Sequence, residues 1–450
     1  MTAGFATFGC KLNQSETEAL ADAFRRAGHS AVDAGAAAGL YILNTCTVTS
    51  KSEQKARRVL RKIISEHPGA PVIVTGCYAE LERARLREEF GGHIFVAGLA
   101  EKALLSRLPD FLRDREPFAA AALEDFFSRQ ENATAHPERF ALAAARYSFH
   151  TRAFLKIQDG CDNRCSYCRV CIARGPSVSL AADDVLRRFR ALEAEGYREI
   201  VLTGINLPAY ASDSPHIRGG KTDFRELLER ILDASPPPGA SSARLRLSSL
   251  EPEAITPQLA RVLAHPRVCP HFHLPLQSGS DAVLKAMARR ATRGDAAKAV
   301  ALLRGARSGA FIAADLITGF PGETDEDHAM TESLVRELEP ASLHVFPFSR
   351  RPGTPAWDMR PRVPERIARA RARSLRDLSR ELWQRYADRL AGSLLQVIVE
   401  KNTAAGWEGL SENYMTVRGT HEEVPLVPGD LVRVRITGAG EGFVTGEREG

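Results

Sequence analysis

The sequence has no run of about 18 apolar residues, the length that a membrane-spanning helix needs. Its opening segment, MTAGFATFGC, lacks the basic stretch followed by an apolar one that marks a secretory signal. We therefore expect a cytoplasmic protein with no membrane contact. The net charge is small, +5, which permits a nucleic-acid partner but does not require one.

The 12 histidines show no clustered metal-ligand spacing, so the metal-binding candidates are the 8 cysteines. Disulfides are rare in a reducing compartment, where cysteines are more often metal ligands or catalytic groups. A chain of 450 residues with 44% apolar and 26% charged residues can build a core, and its length suggests two or three domains.

Three cysteines lie close together after a short apolar run, residues 153–157, that predicts a buried strand. Cys161, Cys165 and Cys168 have the spacing C-x3-C-x2-C. Three thiolates on one loop can hold three corners of an iron–sulfur cube, which leaves the fourth iron open where a ferredoxin would add a fourth cysteine. A structural zinc site is the alternative, but overlapping C-x2-C pairs suit a tetrahedral site poorly.

Three more cysteines are spread over residues 3–112, where strand and helix patterns alternate. This alternation predicts a doubly wound parallel sheet, with a helix that Ser15 could N-cap. Cys10, Cys46 and Cys77 each follow a predicted strand. Because ligands bind outside the carboxyl ends of parallel strands, we expect these cysteines to converge on a second metal site. Three buried structural thiols are the alternative.

Residues 146–375 contain six strand and helix units, which predict a partial (β/α)6 barrel with function at the carboxyl ends of its strands. Polar motifs follow the predicted strands. They include LTGINL with Gly204, SSLEP with Ser249 and Glu251, and HLPLQSGSD with Gln277.

The remaining segments are predicted as connections and a third domain. Residues 113–145 show no clear core pattern and are interpreted as a linker. Residues 376–390 form a basic helical connector, whose arginines are either a solvated face or the approach to an RNA-binding module. Short alternating strands over 391–450 predict a small antiparallel β-barrel, on which Tyr414 could stack on a base.

Nearly the whole chain apart from the linker resembles the radical S-adenosylmethionine (SAM) methylthiotransferase family. The motifs are GCKLNQSE, NTCTV, TGCYAE, CDNRCSYC, FPFSRRPGTPA, GLSENYMTV and VPGDLVRVRITG. The resemblance implies two [4Fe–4S] clusters, one on Cys161, Cys165 and Cys168 and an auxiliary one on Cys10, Cys46 and Cys77. It also identifies the last segment as a TRAM domain, an RNA-binding module.

The same resemblance implies roles for further residues. Tyr167 would lie near the adenine of SAM, and the other candidate SAM contacts are Gly204, Ser249, Glu251 and Gln277. Arg174 would organise the cluster loop or a carboxylate.

Two cysteines remain outside these sets. The family usually has proline where this chain has Cys171. We interpret Cys171 as a small apolar substitute, because three thiolates already complete the ligand set. Cys269 is interpreted as a structural thiol.

The GCKLNQ motif resembles the subfamily that converts N6-threonylcarbamoyladenosine at tRNA position 37 to its 2-methylthio form. In that reaction one SAM methylates a sulfur on the auxiliary cluster and a second SAM is cleaved to a radical. The implied partners are tRNA, SAM and an electron donor such as flavodoxin or ferredoxin. The alternatives are an isopentenyladenosine tRNA, a ribosomal-protein aspartate, or a non-enzymatic iron–sulfur RNA-binding protein.

Overall fold

The computed structural model describes residues 1–113, 120–130, 139–213, 220–234, 236, 240–422 and 425–449. Along the chain these residues form a parallel sheet, an open barrel of parallel strands and a small closed β-barrel. Within the described ranges, no helix combines the length and the apolarity that crossing a membrane demands.

The first unit is a five-stranded parallel sheet with strand order β2-β1-β3-β4-β5. Its strands are β1 Thr2–Thr7, β2 Ser30–Asp33, β3 Leu40–Thr45, β4 Val72–Gly76 and β5 Ile94–Ala97. Its helices are α1 Lys11–Arg26, α2 Ser50–Glu66, α3 Cys77–Leu81, α4 Arg83–Phe90 and α5 Leu108–Leu112. The strand order reverses between β1 and β3, the switch point at which such doubly wound sheets bind ligands.

Successive residues of β3 point to opposite faces of this sheet and supply two separate cores. Leu40 and Ile42 join the apolar cluster on one face, and Tyr41 and Leu43 join the cluster on the other. Helices therefore cover both faces, as the doubly wound prediction requires. The predicted elements omitted β2, an edge strand in which no residue is fully buried.

Helix α1 begins earlier than predicted. Its N-cap is Cys10, so the prediction that Ser15 caps the helix is wrong. Ser15 lies inside the helix, and its hydroxyl donates to the carbonyl oxygen of Phe154 at 3.0 Å, in the next unit of the chain. A residue that favours an N-cap is used here for packing between units.

The segment interpreted as a linker contributes to the first core. Residues 114–119 and 131–138 lie outside the described residues, but between them α6 spans Ala120–Gln130. Leu123 and Phe126, three positions apart on one helical face, are buried in the core on the α1 side of the sheet. The apolar stripe of this helix is short and polar residues flank it, so the sequence pattern did not predict a buried helix here.

The second unit is an open barrel of six parallel strands, as predicted. Hydrogen bonds order them β6-β9-β12 and β13-β14-β15, and isolated bridges from Leu245 to Val268 and from Ser249 to His273 join the halves. The six barrel strands are β6 Ala153–Lys156, β9 Glu199–Thr203, β12 Arg244–Leu247, β13 His271–Gln277, β14 Phe311–Thr318 and β15 Ser342–Pro347. Two short antiparallel pairs accompany them, β7 Gln158–Asp159 with β8 Val178–Ser179 and β10 Ala211–Asp213 with β11 Lys221–Asp223.

The helices of the open barrel are α7 Val170–Arg174, α8 Ala182–Ala194, α9 Phe224–Asp233, α10 Pro257–Leu263, α11 Asp281–Ala286, α12 Arg293–Ala306, α13 Asp325–Leu338 and α14 Glu365–Asp388. Helix α14 carries much of the arginine-rich tract, yet Leu375, Leu378 and Leu382 are buried in the barrel core. Arg371 pairs with Glu323 at 2.7 Å inside the protein. The tract is therefore the last helix of the barrel, with a solvated basic face on its outer side.

The third unit is a closed barrel of five strands, ordered β16-β17-β18-β20-β19. They are β16 Leu394–Thr403, β17 Gly406–Ser411, β18 Thr416–Gly419, β19 Leu431–Gly440 and β20 Phe443–Arg448. The prediction missed β17, and the barrel is not wholly antiparallel, because β18 and β20 pair in parallel. A parallel pair lets an odd number of strands close without leaving an edge.

The closed barrel docks on the amino-terminal ends of the open barrel's strands. Arg246 pairs with Glu199 and also donates to the carbonyl oxygens of Ser411 and Glu412 at 3.0 Å. The Tyr414 ring stacks on His271, with 4.2 Å between ring centroids. One face of Tyr414 thus contacts the open barrel, and stacking of Tyr414 on a base stays a prediction.

Candidate metal centre

The first cysteine group, made of Cys161, Cys165 and Cys168, lies on the loop between β7 and α7. Backbone N–H groups point at its sulfurs, from Asn163 to Cys161 at 3.5 Å and from Val170 to Cys168 at 3.4 Å. Burial raises the pKa of Cys161 and Cys165, and raises that of Cys168 to about 12. Neighbouring thiolates add to the effect at Cys161 and Cys168.

These shifts mean that three bare thiolates repel each other in a poorly solvated space. A multiply charged metal centre removes that penalty, because it neutralises the sulfurs as they lose their protons. The donor set therefore fits a [4Fe–4S] cluster held by three thiolates.

An ion pair lies directly beside this loop. Both guanidinium nitrogens Nη1 and Nη2 of Arg289 donate to the Glu251 carboxylate, at 3.2 Å for Nη1, and Arg289 also donates to Cys165 Sγ at 3.8 Å. Asn163 donates to the same carboxylate at 3.3 Å. Glu251 is thus fixed next to the first cysteine group, whereas Arg289, which holds it there, was missed in the sequence because no motif marks it.

The other candidate SAM contacts surround the same end of the open barrel. Gly204 follows β9, and a Cβ there would lie 2.8 Å from Gln158 Oε1. Gln277, at the end of β13, has a φ of 67°. This backbone conformation is costly for residues other than glycine and is often found at functional sites. Tyr167 packs against a small apolar cluster that includes Met287 and Phe320.

Ser249 belongs to a hydrogen-bonded group inside the barrel. Its hydroxyl lies 3.1 Å from His273 Nδ1, and His273 Nε2 lies 2.8 Å from Asp315 Oδ1. His344 Nδ1 approaches the same oxygen at 3.1 Å. The sequence showed no histidine clustering because three separate strands supply these side chains.

The second cysteine group lies at the switch point of the parallel sheet. Cys10 caps α1 after β1, Cys46 follows β3, and Cys77 begins α3 after β4. A Cβ at Gly9, which has a φ of +97°, would lie 2.5 Å from Cys46 Sγ, so a glycine is needed for the loops to approach this closely. The three cysteines meet at one edge of the sheet, as expected.

The chemistry of this second group also fits a cluster. Burial and the nearby Cys10 raise the pKa of Cys46 to about 12, and burial raises that of Cys77. Asn13 ties the loops together, since its amide donates to the carbonyl oxygens of Phe8 at 2.8 Å and Thr45 at 3.1 Å. Three thiols that repel each other as thiolates are again held close together, the arrangement that a cationic metal centre stabilises.

Arg174 connects the two groups. It ends α7, directly after the first cysteine loop, and its Nε donates to Cys77 Sγ at 3.2 Å. Its Nη1 donates to Asp159 at 3.0 Å and to Glu16 at 3.1 Å. The expectation that Arg174 organises a carboxylate agrees with these contacts, but its contact with a cysteine of the other group was not foreseen.

The two remaining cysteines make hydrogen bonds of their own within the protein. The Cys171 thiol is within α7 and donates to the carbonyl oxygen of Cys168 at 3.6 Å. Cys269 is buried, and its thiol lies 3.8 Å from Glu199 Oε2 near the closed barrel. Both positions agree with thiols that pack and hydrogen-bond within the protein.

Comparison with known proteins adds an independent line of information. Residues 2–98 match the uncharacterized protein family UPF0004, and residues 155–335 match the radical SAM superfamily. The latter implies one [4Fe–4S] cluster and SAM.

Curated relatives extend the match over nearly the full length. A threonylcarbamoyladenosine tRNA methylthiotransferase MtaB from Treponema pallidum is 38% identical, covering 96% of this chain and 98% of its own. The Bacillus subtilis protein of the same name is 34% identical, covering 99% and 96%. A tRNA-2-methylthio-N(6)-dimethylallyladenosine synthase from Cereibacter sphaeroides is 33% identical, covering 99% and 98%.

Among solved structures, a radical S-adenosylmethionine methyltransferase, TsrM, from Kitasatospora setae has a TM-score of 0.54 at 17% identity, covering 90% of this chain and 79% of that one. That likeness concerns the fold alone. The sequence identity to full-length relatives, together with the two cysteine groups, shows that the chain belongs to the radical SAM methylthiotransferase family.

Proposed function

We propose that the protein adds a methylthio group to C2 of N6-threonylcarbamoyladenosine at position 37 of tRNA. The observation that carries this proposal is the pair of three-cysteine groups linked through Arg174. Relatives that are named for this activity match nearly the whole chain, which supports the choice of substrate.

The six cysteines would hold two [4Fe–4S] clusters. Cys161, Cys165 and Cys168 are the proposed ligands of the radical SAM cluster, and the switch-point cysteines are the proposed ligands of the auxiliary cluster. Each set leaves one iron without a protein ligand. When bound, the clusters supply an electron for SAM cleavage and a site for the sulfur that is transferred, chemistry that acid–base groups cannot perform on an unactivated C–H bond.

The chain's own residues bind and orient SAM. We propose that Glu251, fixed by Arg289, accepts hydrogen bonds from SAM, and that Gly204, Ser249 and Gln277 line the same end of the open barrel. Tyr167 would contact the adenine. The sheet carrying the second cysteine group packs against the open side of the barrel through α1 and β6, so it would exclude water from the reaction.

The closed barrel would bind tRNA. Arg433 and Arg435 lie on the outward face of β19, with side chains 64% and 53% exposed, although Glu449 pairs with both. Such side chains can follow phosphates without reading sequence. An electron donor such as flavodoxin or ferredoxin completes the proposed set of partners.

Alternative targets within the family are an isopentenyladenosine tRNA and an aspartate of a ribosomal protein. The GCKLNQ motif and the basic outer face of α14 favour tRNA threonylcarbamoyladenosine. A non-enzymatic iron–sulfur RNA-binding protein would also hold both clusters, so cluster content alone does not separate it from an enzyme.

Two measurements test the proposal. Anaerobic reconstitution followed by reduction in the presence of SAM should yield 5′-deoxyadenosine, and no cleavage would exclude a radical enzyme. Nucleoside mass spectrometry of tRNA from a deletion strain should show loss of 2-methylthio-N6-threonylcarbamoyladenosine, restored by the intact gene. An unchanged level of that nucleoside would refute the substrate.

A further inference from the structure

The network around Arg174 contains more positive than negative charge. It joins Arg174, Lys102 and Lys156 to the carboxylates of Glu16 and Asp159, all nearly inaccessible to solvent. Three cations thus face two carboxylates among the described residues that these hydrogen bonds connect. A further anion near such a buried excess would stabilise it.

The excess positive charge lies beside the second cysteine group. Lys102 donates to Glu16 and to Asn44, at 2.9 Å for the latter, and Lys156 donates to Glu16 at 3.0 Å. Only the guanidinium of Arg174 reaches a cysteine sulfur within this network. A cationic [4Fe–4S] core together with its three thiolate ligands carries net negative charge, so it would balance the network.

Arg174 also contacts two residues that frame the second cysteine group, Asn13 and Cys77. Its Nη2 donates to Asn13 Oδ1 at 2.8 Å, and the Asn13 amide in turn holds the carbonyl oxygens just before Cys10 and Cys46. Its Nε holds Cys77 directly. A lysine has one nitrogen and could not satisfy these acceptors together, whereas the planar fork of arginine can.

We propose that Arg174 is a positioning residue that sets the reduction potential of the auxiliary cluster by donating its Nε–H to Cys77 Sγ. The inference rests on the proposed function in one respect, that Cys10, Cys46 and Cys77 hold a cluster. A hydrogen bond to a cluster sulfur stabilises the reduced, more negative state, so it raises the potential. Because Arg174 ends the helix after the first cysteine loop, the same side chain fixes that loop against the second group.

The test isolates the auxiliary cluster. The full chain carrying Cys161→Ala, Cys165→Ala and Cys168→Ala is reconstituted anaerobically, and its cluster is titrated with EPR detection of the reduced form. Adding Arg174→Gln should shift the midpoint potential to a more negative value at equal iron content. Arg174→Lys keeps a charge but loses the fork, so it should give a smaller shift in the same direction.

Lys102→Met is the matched control, because it removes a buried charge from the same network without removing a contact to sulfur. We expect its shift to be smaller than that of Arg174→Gln. Equal shifts would assign the effect to charge alone and overturn the role of the hydrogen bond.

The remaining outcomes separate this inference from the proposed function. An unchanged potential in Arg174→Gln, with the cluster present, overturns the inference alone. If Arg174→Gln fails to hold a cluster, Arg174→Lys decides, and an unshifted potential there leaves Arg174 with a purely structural role. A parent chain that forms no cluster overturns both the inference and the assignment of the second cysteine group.

Discussion

The two cysteine groups reach the same donor set by different routes. Cys161, Cys165 and Cys168 lie on one loop, so eight consecutive residues place all three sulfurs. Cys10, Cys46 and Cys77 come from three loops and meet only because β1, β3 and β4 are adjacent in a parallel sheet. The first group is a property of a loop, and the second is a property of a fold.

The groups also differ in the charges beside them. Arg289 lies next to Cys165 but its charge is paired with the Glu251 carboxylate, so the first group has no excess positive charge from this residue beside it. Arg174 lies next to Cys77 as part of a network with excess positive charge. The first environment suits the binding of a small molecule, and the second suits a permanently bound anion.

The largest expected effect separates the two groups by function. Cys165→Ala should abolish 5′-deoxyadenosine formation, because the radical SAM cluster loses a ligand. Cys46→Ala should retain SAM cleavage but form no methylthiolated tRNA. Chromatography of 5′-deoxyadenosine and nucleoside mass spectrometry measure the two outcomes.

Cys269→Ala is the control for these variants, since its thiol is buried far along the chain beside Glu199. It should keep both activities. SAM cleavage that persists in Cys165→Ala, or methylthiolation that persists in Cys46→Ala, would contradict the separate roles assigned to the two groups.

The next effect concerns the carboxylate beside the first group. Glu251→Gln removes the charge that Arg289 and Asn163 hold in place. A lost hydrogen bond to a charged group is worth about 1.5–3 kcal/mol, so the Kd for SAM should rise about tenfold or more. Calorimetry on the cluster-loaded protein measures it.

Glu253→Gln provides the comparison for that variant. Glu253 lies two residues further on, and its Oε2 is buried without a hydrogen-bond partner among the described residues. We expect SAM affinity to change far less there. An equal loss of SAM affinity in both variants would indicate a general effect on the loop that carries Glu251 and Glu253.

A third prediction concerns how the two groups are held together. Arg351, in the loop after β15, pairs with Glu53 of α2 and donates to Thr47 Oγ1 at 2.9 Å, next to Cys46. Arg351→Ala leaves the buried Glu53 carboxylate with Arg169, at 3.6 Å, as its charged partner. Loss of the closer pair should lower the free energy of unfolding by about 3 kcal/mol. Both clusters should remain, but more SAM should be cleaved for each methylthio group transferred.

Iron content and the ratio of 5′-deoxyadenosine to product measure this effect. Arg350→Ala is its control, because Arg350 stacks on Trp357 at 3.6 Å in its own unit of the chain. A ratio that is equal in the two variants would mean that the Arg351 contact does not set the coupling between the groups.

The smallest expected effect is that of Cys171→Ala. The Cys171 thiol donates to the carbonyl oxygen of Cys168, so it is engaged within the loop. Removing it should leave the iron content and SAM cleavage unchanged within error. A loss of iron in this variant would give the first group a fourth cysteine ligand and would contradict the open iron on which SAM binding depends.

Much of the fold follows from local patterns in the chain. Alternating strands and helices predicted the parallel sheet and the six-stranded open barrel, because each element's apolar spacing reports its own burial. The misses have physical causes. Edge strand β2 is only half-buried, β17 contains two glycines, and the stripe of α6 is short. The prediction of a Ser15 cap failed because the helix already begins at Lys11.

The sequence by itself predicted how six of the cysteines divide into two groups, since spacing defines one group and the position after a strand defines the other. Only the tertiary structure decided what lies beside them. The Arg174 and Cys77 side chains are 97 residues apart, and the His273, Asp315 and His344 group draws on three strands. Hydrogen bonds between distant side chains depend on how whole units pack together. Packing between units produces no periodic pattern in the sequence from which such contacts could be predicted.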